Sequence, residues 1–575
     1  MLPCASVIAR WRGRGDAVFV VLTAAALAAL LTYPLARHLG STGRVNTDDG
    51  RWSIWVVAWV AHALTTNPTE LYNANIFYPH VSTLAYSEAN IGAGVIATPV
   101  WAVSKNPHLS HNVVVLISFI AAFAGAYYLV RYFTGSCPAA LIAGVLYAFC
   151  PFIFARTAHI QLLMTGGIPF AMLAFHRLVD RPTIARAVTL AVLIFVQSLS
   201  CAYYGVFVIL MIGLGTPFFA ITRGVWRSRD YWIGIALAAV VTITLTLPFF
   251  LPYLRVQELG FGRTLDDARE FAVTGSAWLA SSAWAHRWWL PRLGRFNEVL
   301  FPGFLALGLG VAGALWQFLR TPTDGSPQKR CLAPFRGGAR KDVAMFYALI
   351  GTFAFWSSFG PDAGLYWLFY KTIPFFTFMR APGRFGILVV LALVVLAAPL
   401  VAALLARTRR PMLAGALAAA LAVAELIAIP LNQYRRTEPV SAIYTTLATL
   451  PRAAVFELPY WYQRHEYPRH AYYMLNSTAH WLPLINGYSD YIPEDFGNTA
   501  LALSSFPSRE SFTILENRGV RYVVFHLDMY NARSRVRLNE RLASYVRHLR
   551  LLMTDGNLQL YEIVSFPSWD AVSER

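Results

Sequence analysis

The sequence contains few cysteines and few lysines. Five cysteines occur in 575 residues; none lies in the polar C-terminal part, and no pair has the spacing of metal ligands. A disulfide framework and a structural zinc site are therefore not expected. Only four of the 48 basic residues are lysines, so arginine carries nearly all of the positive charge: Lys105, Lys329, Lys341 and Lys371.

The chain also lacks the short motifs of nucleotide-driven pumps and common hydrolases. A Gly-rich phosphate loop, a dinucleotide fingerprint, HExxH and GxSxG are all absent. Inverted repeats with paired interrupted helices, which many transporters contain, are not evident either. The sequence therefore gives no support to a nucleotide-fuelled pump or to a hydrolase of these types.

Long apolar runs are abundant. Hydrophobic residues make up 57% of the chain, and its mean hydropathy is +0.47. Runs long enough to cross a bilayer recur from end to end. The net charge of +18 comes largely from arginines in short loops between those runs, as the positive-inside rule predicts. We therefore predict an α-helical polytopic membrane protein without a nucleic-acid partner.

About eleven segments have the length and composition of transmembrane helices. They are 17–37, 110–131, 137–153, 160–178, 183–200, 203–222, 231–252, 299–320, 343–359, 385–406 and 411–430. The apolar run 91–103 is shorter and contains Pro99, which predicts an interfacial or re-entrant segment instead of a span.

The distribution of arginine predicts the topology. The first apolar run is preceded by three arginines, Arg10, Arg12 and Arg14. The run is too long for a signal-peptide core, so we predict an uncleaved span with a cytoplasmic N-terminus. The first outer loop, segments 254–298 and 360–384, and the C-terminal part then lie outside. Segment 254–298 is rich in arginine, although the positive-inside rule disfavours arginine on the outer side. Long translocated loops escape this rule, and an anionic ligand would be a further reason for the arginines.

The chain divides by composition near residue 430. Residues 1–430 are predicted to form the transmembrane domain, with a first outer loop at 38–109, and residues 431–575 a small extracytoplasmic α/β domain. Short β-like runs and helical runs alternate in the second part. The predicted strands are Ala454–Leu458, Val520–Phe525 and Leu558–Val564, and the predicted helices are Arg509–Asn517 and Asn539–Leu551.

Two adjacent acids, Asp48 and Asp49, open a helical stretch just after the first span. Three tryptophans follow at spacings of three and four residues, on one helix face: Trp52, Trp55 and Trp59. Such a stripe is typical of a helix in the membrane–water interface, where the acids would meet the head group of a lipid-borne substrate. The alternative is that one acid only caps a helix beginning near Arg51.

Further polar groups are predicted to lie at the same membrane face. Glu88 is a second acid, either a donor-sugar contact or metal ligand, or a capping residue before the run from Ile91. His80 and His159 are candidates for substrate binding, although single histidines are more often structural. Tyr488 is a candidate for a glycan-binding face, or else a core residue of the small domain.

Arg380 and Arg384 are candidates for binding a phosphate group. They follow an aromatic and apolar segment that is predicted to lie in the outer interface. Pro382 blocks a continuous helix, and Gly383 permits a tight turn that would present both guanidinium groups to one site. The alternative is that both arginines only anchor the chain to lipid head groups.

These residues resemble those of the GT-C superfamily, the multi-span glycosyltransferases that use polyprenyl-phosphate-linked sugars. The resemblance rests on an acid in the first outer loop, a helix after it, an acid-bearing segment before the second span, and a closing extracytoplasmic domain. The chain is most similar to bacterial members of uncharacterised substrate, through its runs Asn75–Glu88, Glu298–Gly303 and Asn486–Ser489. The family includes protein mannosyltransferases, aminoarabinose transferases and oligosaccharyltransferase catalytic subunits.

The resemblance implies a function and roles for the residues. The protein is expected to transfer a hexose or pentose, with inversion, from a polyprenyl-phosphate donor to a lipid, glycan or protein acceptor outside the bacterial inner membrane. Asp48 or Asp49 would act as the base, and Asp48 is favoured because Asp49 lies nearer the helix start. Some relatives carry an Asp-x-Asp motif, whereas the two acids here are adjacent. A divalent metal ion is therefore possible, but the resemblance assigns no ligand set for it. A flippase of a lipid-linked saccharide and a non-catalytic envelope assembly protein are the alternatives.

Overall fold

The computed structural model describes residues 14–319 and 339–567. The predicted N-terminal arginines Arg10 and Arg12 and most of the basic loop 329–341 lie outside these ranges. The chain forms two compact units. Unit 1 comprises Met1–Arg37, Val113–Leu251 and Gly262–Asn432, and unit 2 comprises His38–Asn112, Pro252–Phe261 and Gln433–Arg575. The first outer loop is thus grouped with the C-terminal part, while the domain boundary near residue 430 stays a prediction.

Unit 1 is helical, and a helix covers most of each of the eleven predicted spans. By length and composition alone, five helices of the described residues are able to cross a membrane; the number of spans stays a prediction. The longer helices that lie mainly in this unit are Arg14–Leu31, Pro107–Thr134, Cys137–Ala148, Gly167–Asp180, Ile184–Ser200, Ala202–Thr222, Arg229–Glu258, Phe304–Leu319, Ala339–Ser358, Gly386–Leu405 and Pro411–Leu426.

The predicted span 160–178 is interrupted in the structure. It consists of a short helix, Ile160–Leu163, and a second helix, Gly167–Asp180. Between them Gly166 lies so close to the neighbouring helix Pro107–Thr134 that a Cβ atom would be 2.5 Å from the Ala121 carbonyl carbon. Only glycine allows this close backbone approach at the break.

Small residues also bring two later helices of unit 1 together. Helix Phe304–Leu319 packs along helix Gly386–Leu405, and a Cβ atom on Gly313 would lie 2.2 Å from the Leu396 carbonyl oxygen. Gln317 donates hydrogen bonds to the Gly313 and Leu396 carbonyls, each at 3.0 Å. Close packing and a satisfied buried amide thus stabilise this helix pair.

Unit 2 combines helices with two sheets. A two-stranded antiparallel ribbon pairs β1 (Thr42–Gly43) with β2 (Arg435–Arg436). The second sheet has the order β3-β4-β6-β5, in which β3 and β4 are parallel and the other pairs antiparallel. Its strands are β3 (Ala454–Leu458), β4 (Val520–His526), β5 (Leu549–Asp555) and β6 (Leu558–Ile563). The longer helices that lie mainly in this unit are Asp48–Thr66, Ile91–Ser104, Glu494–Ser504, Arg509–Asn517 and Ala532–Ser544.

The secondary-structure predictions for the C-terminal part are confirmed with one exception. Helix Arg509–Asn517 and all three predicted strands are present, within two residues at their ends. The predicted helix Asn539–Leu551 is wrong at both ends. The helix is Ala532–Ser544, and Leu549 begins strand β5. Pairing with β6 overrides the local helical pattern there.

The tryptophan stripe is buried within unit 2, contrary to the predicted interfacial position. Trp52, Trp55 and Trp59 are exposed by only 8%, 1% and 8%. The Trp55 indole N–H donates to Asn75 Oδ1 at 3.3 Å, and that of Trp59 to the Leu71 carbonyl at 2.9 Å. The C-terminal part supplies the covering layer, because the Trp481 ring lies edge-on to Trp59 at 5.6 Å. The stripe is therefore a protein core in which the indole N–H groups are satisfied internally.

Candidate functional site

The two acids occupy the first turn of helix Asp48–Thr66. Thr47 is the N-cap, and its hydroxyl accepts a hydrogen bond from the Gly50 N–H at 3.2 Å. The predicted helix start near Arg51 is therefore wrong by about one turn, and neither acid is the N-cap residue. Asp48 forms an ion pair with Arg51 at 2.7 Å. Both carboxylates are half-buried at the helix N-terminus, where the helix dipole favours negative charge.

Tyr488 contacts the second acid. Its hydroxyl donates to Asp49 Oδ1 at 3.2 Å, across 439 residues of sequence. The turn that carries Tyr488 is fixed by Asn486, which accepts from the Glu457 N–H at 2.8 Å and donates to the Glu457 carbonyl at 2.9 Å. Asn486 is fully buried, so strand β3 holds this turn rigidly. The structure thus brings together two predicted site residues, Asp49 and Tyr488.

The runs named in the sequence analysis pair through their backbones. The N–H groups of Phe77 and Tyr78 donate to the carbonyls of Asn486 and Leu484, at 3.1 Å and 2.8 Å. The Tyr491 N–H donates to the Tyr86 carbonyl at 2.9 Å. The loop 75–88 and the segment 484–491 therefore form one continuous layer. It lies beside the first turn of helix Asp48–Thr66, called the acid turn below because it carries Asp48 and Asp49.

His80 and Glu88 lie in this layer, each beside an acid that the sequence analysis did not identify. His80 Nε2 is 2.8 Å from Asp495 Oδ1, and Asp495 also pairs with Arg518 at 2.8 Å. Next to Glu88 in the chain, the Ser87 hydroxyl donates to Asp490 Oδ2 at 2.7 Å. No local pattern marks Asp490 or Asp495, because their positions depend on contacts distant in sequence.

A pocket of about 410 Å³ opens beside His80. Its lining combines two tyrosine rings with carboxylate, amide and imidazole groups, a mixture of apolar faces and hydroxyl-binding groups. Burial, with Tyr491 and Asp495 nearby, raises the pKa of Tyr86 to about 12, so this phenol stays protonated. The lining residues are His80, Tyr86, Leu259, Tyr491, Pro493, Glu494, Asp495 and Asn498.

The two predicted phosphate-binding arginines lie around one tyrosine of unit 1. The Arg380 backbone N–H donates to the Tyr203 hydroxyl at 2.9 Å, and the Arg384 guanidinium lies 3.8 Å from the Tyr203 ring centre. The Arg380 guanidinium lies 5.0 Å from the ring centre of Phe271. A 3-10 turn, Pro382–Phe385, follows Arg380 and contains Arg384, as the Pro-Gly pair predicts.

A third arginine of unit 1 is paired with an acid beside that turn. Arg156 Nη2 is 2.6 Å from Glu298, and Arg156 Nη1 donates to the Val299 carbonyl at 3.2 Å. A Cβ atom on Gly383 would lie 3.2 Å from the Glu298 Cγ. This ion pair therefore adjoins the segment from Arg380 to Arg384, called the arginine turn below. His159 follows Arg156 at the N-terminus of helix Ile160–Leu163 and belongs to unit 1, not to the layer that holds His80.

A metal site is not formed by the described residues. No group of three or more His, Cys, Asp or Glu side chains in residues 14–319 and 339–567 is arranged to hold a metal ion. Asp48 pairs with Arg51, and Asp49 accepts a hydrogen bond from Tyr488. No ligand set for the divalent ion considered from the sequence is therefore assigned among the described residues, and metal dependence stays a prediction.

No family model and no curated protein matches the sequence. Solved structures do match. The Archaeoglobus fulgidus oligosaccharyltransferase, in a complex with Zn and sulfate, has a TM-score of 0.52 at 13% identity, over 89% of this chain and 68% of that one. The same enzyme tethered to an acceptor peptide has a TM-score of 0.50 at 14% identity, over 90% and 70%.

A further match is ArnT from Cupriavidus metallidurans bound to undecaprenyl phosphate. Its TM-score is 0.42 at 14% identity, over 88% of this chain and 98% of that one. The oligosaccharyltransferase matches cover most of both chains, and the apolar helices of unit 1 agree with a multi-pass membrane protein. The protein therefore shares the fold of that oligosaccharyltransferase, the GT-C fold.

Proposed function

We propose that the protein is a membrane glycosyltransferase that transfers a sugar from a polyprenyl-phosphate-linked donor to an envelope lipid, glycan or protein. The observation that carries the proposal is the contact between Asp49 and Tyr488, which holds a carboxylate at the start of a rigid helix. Transfer to a hydroxyl acceptor requires such a positioned carboxylate to accept a proton. The GT-C fold supports the reaction class.

The proposed base is Asp49 and no longer Asp48. Asp48 was favoured because Asp49 was expected to cap the helix, but Thr47 has that position. Asp48 forms an ion pair with Arg51 at 2.7 Å, so an acceptor hydroxyl would compete with the guanidinium group for that carboxylate. Asp49 receives a hydrogen bond from the Tyr488 phenol, which orients it.

The proposed reaction is a single displacement with inversion. The acceptor hydroxyl oxygen bonds to the anomeric carbon while its proton passes to the Asp49 carboxylate. The bond between that carbon and the donor phosphate oxygen breaks, and its electron pair leaves with polyprenyl phosphate. Arg380 and Arg384 are proposed to stabilise the negative charge on the departing phosphate.

The pocket beside His80 is the proposed acceptor subsite. Tyrosine rings suit the apolar face of a sugar, and the side chains of Asp495 and Asn498 suit its hydroxyl groups. Asn498 is exposed on helix Glu494–Ser504, so its replacement leaves the fold intact. Asn498→Ala should raise the KM for the acceptor and leave the KM for the donor unchanged.

We propose that the reaction takes place outside the bacterial inner membrane, with the N-terminus in the cytoplasm. The test uses the purified protein in nanodiscs, with labelled polyprenyl-phosphate hexoses and pentoses and an envelope extract as acceptor. Wild type should release polyprenyl phosphate and label the acceptor, and Asp49→Asn should not. Movement of intact donor across proteoliposomes without cleavage would assign the protein to transport. A deletion strain should lack one envelope sugar and accumulate its lipid-linked donor.

A further inference from the structure

The ribbon of unit 2 places an arginine opposite a tyrosine. Thr42 pairs with Arg436 and Gly43 with Arg435 in antiparallel register. Arg44 and Tyr434 are the next residues of the two chain segments beyond this register. They lie close together, since each group contributes to the pKa shift of the other.

Both side chains are buried without satisfied polar ends. Arg44 is 7% exposed and Tyr434 is 4% exposed. The Arg44 Nε and Nη1 atoms and the Tyr434 hydroxyl have no hydrogen-bond partner among the described residues. No carboxylate within residues 14–319 and 339–567 forms an ion pair with Arg44. Burial lowers the pKa of Arg44, yet a guanidinium group keeps its proton at neutral pH.

A buried guanidinium group without a counter-charge is strongly unfavourable unless an anion completes it. Its planar N–H donors match two oxygens of a phosphate group, and a phenol hydroxyl supplies one more donor. A hydrophobic residue of similar length would be more stable at this position if the charge had no ligand. The guanidinium N–H groups and the phenol hydroxyl therefore have the chemistry of an oxyanion site.

We propose that Arg44 and Tyr434 bind a phosphate group. The site adjoins the acid turn, because a Cβ atom on Gly50 would lie 1.9 Å from the Arg44 carbonyl oxygen. The start of helix Asp48–Thr66 thus packs on the main chain of Arg44, and a bound phosphate fixes the turn that carries Asp49. That the phosphate belongs to a polyprenyl lipid rests on the proposed function; phosphate binding itself does not.

Thermal unfolding of the full-length protein in nanodiscs tests the site without any transfer reaction. Inorganic phosphate is titrated at constant ionic strength, and a ligand that binds the folded state raises the melting temperature. We expect a phosphate-dependent rise in wild type, and an apparent affinity at least about 10-fold weaker in Arg44→Met. Without phosphate, Arg44→Met should melt at a higher temperature than wild type, because it removes the buried charge.

Arg436→Met is the matched control, since Arg436 lies on the same ribbon but is exposed. It should respond to phosphate as wild type does. Equal responses of wild type and Arg44→Met would overturn the proposal, and so would a loss of response in Arg436→Met alone. Should Arg44→Met fail to fold, Tyr434→Phe takes its place. That variant keeps the packing and should weaken phosphate binding several-fold, and an unchanged affinity would overturn the site.

The source of the phosphate is distinguished by the lipid of the nanodisc. Separate samples contain polyprenyl phosphate, phosphatidylglycerol or neutral lipid, each without free phosphate. Stabilisation by polyprenyl phosphate alone, lost in Arg44→Met, assigns the site to the isoprenoid lipid. Stabilisation by phosphatidylglycerol as well assigns it to head groups in general, and by inorganic phosphate alone to a free ion. Absence of stabilisation in every sample would overturn the proposal.

Discussion

The acid turn of unit 2 and the arginine turn of unit 1 hold their charged groups in different ways. Asp49 is held by a hydrogen bond from a distant tyrosine, on a turn that a buried asparagine fixes. Arg384 lies instead on the face of an aromatic ring, and the Arg380 main chain is held by the hydroxyl of that same Tyr203. A hydrogen bond sets the direction of one oxygen, whereas stacking fixes the plane of a guanidinium group. The two turns therefore orient their charged groups by different means.

The largest expected effect separates the two acids of the first turn. Asp49→Asn should lower the transfer rate by about 10²- to 10⁴-fold, because the proposed base is lost, while the protein still accumulates in the membrane. Asp48→Asn should have a much smaller effect. The measurement is single-turnover transfer by purified protein. Thr47→Ala is the structural control, since loss of this cap costs about 1 kcal/mol of stability. Full activity of Asp49→Asn would reduce the acid turn to a structural element.

The next effect tests the arginine turn. Arg380→Lys or Arg384→Lys should raise the KM for the lipid donor by about 10-fold, because lysine retains the charge but not the planar pair of donors. The measurement is transfer rate against donor concentration. Arg287→Lys is the matched control, since Arg287 also lies over an aromatic ring in an outer segment, 3.3 Å from the centre of Trp284. Unchanged donor dependence in both variants would leave these arginines as membrane anchors and move the phosphate site to other arginines of segment 254–298.

A smaller effect on the turnover number is expected from loss of the hydrogen bond between Tyr488 and the acid turn. Tyr488→Phe keeps the ring and removes the hydrogen bond to Asp49, which is worth about 1 kcal/mol or somewhat more for a charged acceptor. The turnover number should fall about 5- to 10-fold, with both KM values unchanged. Tyr78→Phe, which changes another tyrosine of the same layer, should leave the turnover number unaltered. An equal loss in both variants would show that the layer acts through packing alone.

The smallest effect concerns pH. Burial, together with the charges of Lys105 and Arg452, lowers the pKa of His62 to about 4, and the ring stacks on Trp481 at 4.5 Å. The unfolded chain binds a proton near pH 6.5, so the stability contributed by neutral His62 is complete above that pH and declines as pH falls towards 4. With the partial exposure of the ring discounted, the loss at pH 5 is about 1 kcal/mol.

Hydrogen exchange measures this contribution region by region. Exchange in helix Asp48–Thr66, corrected for the intrinsic pH effect, should accelerate between pH 7 and pH 5, whereas that in helix Gly386–Leu405 should not. His62→Gln should remove most of the acceleration. Equal acceleration in both helices would contradict the assignment of this pH dependence to unit 2.

The sequence by itself predicted the features that depend on local pattern. The apolar runs coincide with helices, strand Ala454–Leu458 has the predicted ends, and the Pro-Gly pair between Arg380 and Arg384 forms a turn. Such features follow from periodicity and turn chemistry within a few residues. The resemblance also implied the GT-C fold, which the comparison of structures confirms.

Only the tertiary structure decided which groups meet. It paired Asp49 with Tyr488, assigned Trp52, Trp55 and Trp59 to a protein core, and placed Asp495 beside His80. A tryptophan stripe has the same spacing whether lipid or protein covers it, so its environment cannot be read from the helix alone. The identity of the covering segment depends on contacts hundreds of residues apart, which local sequence does not encode.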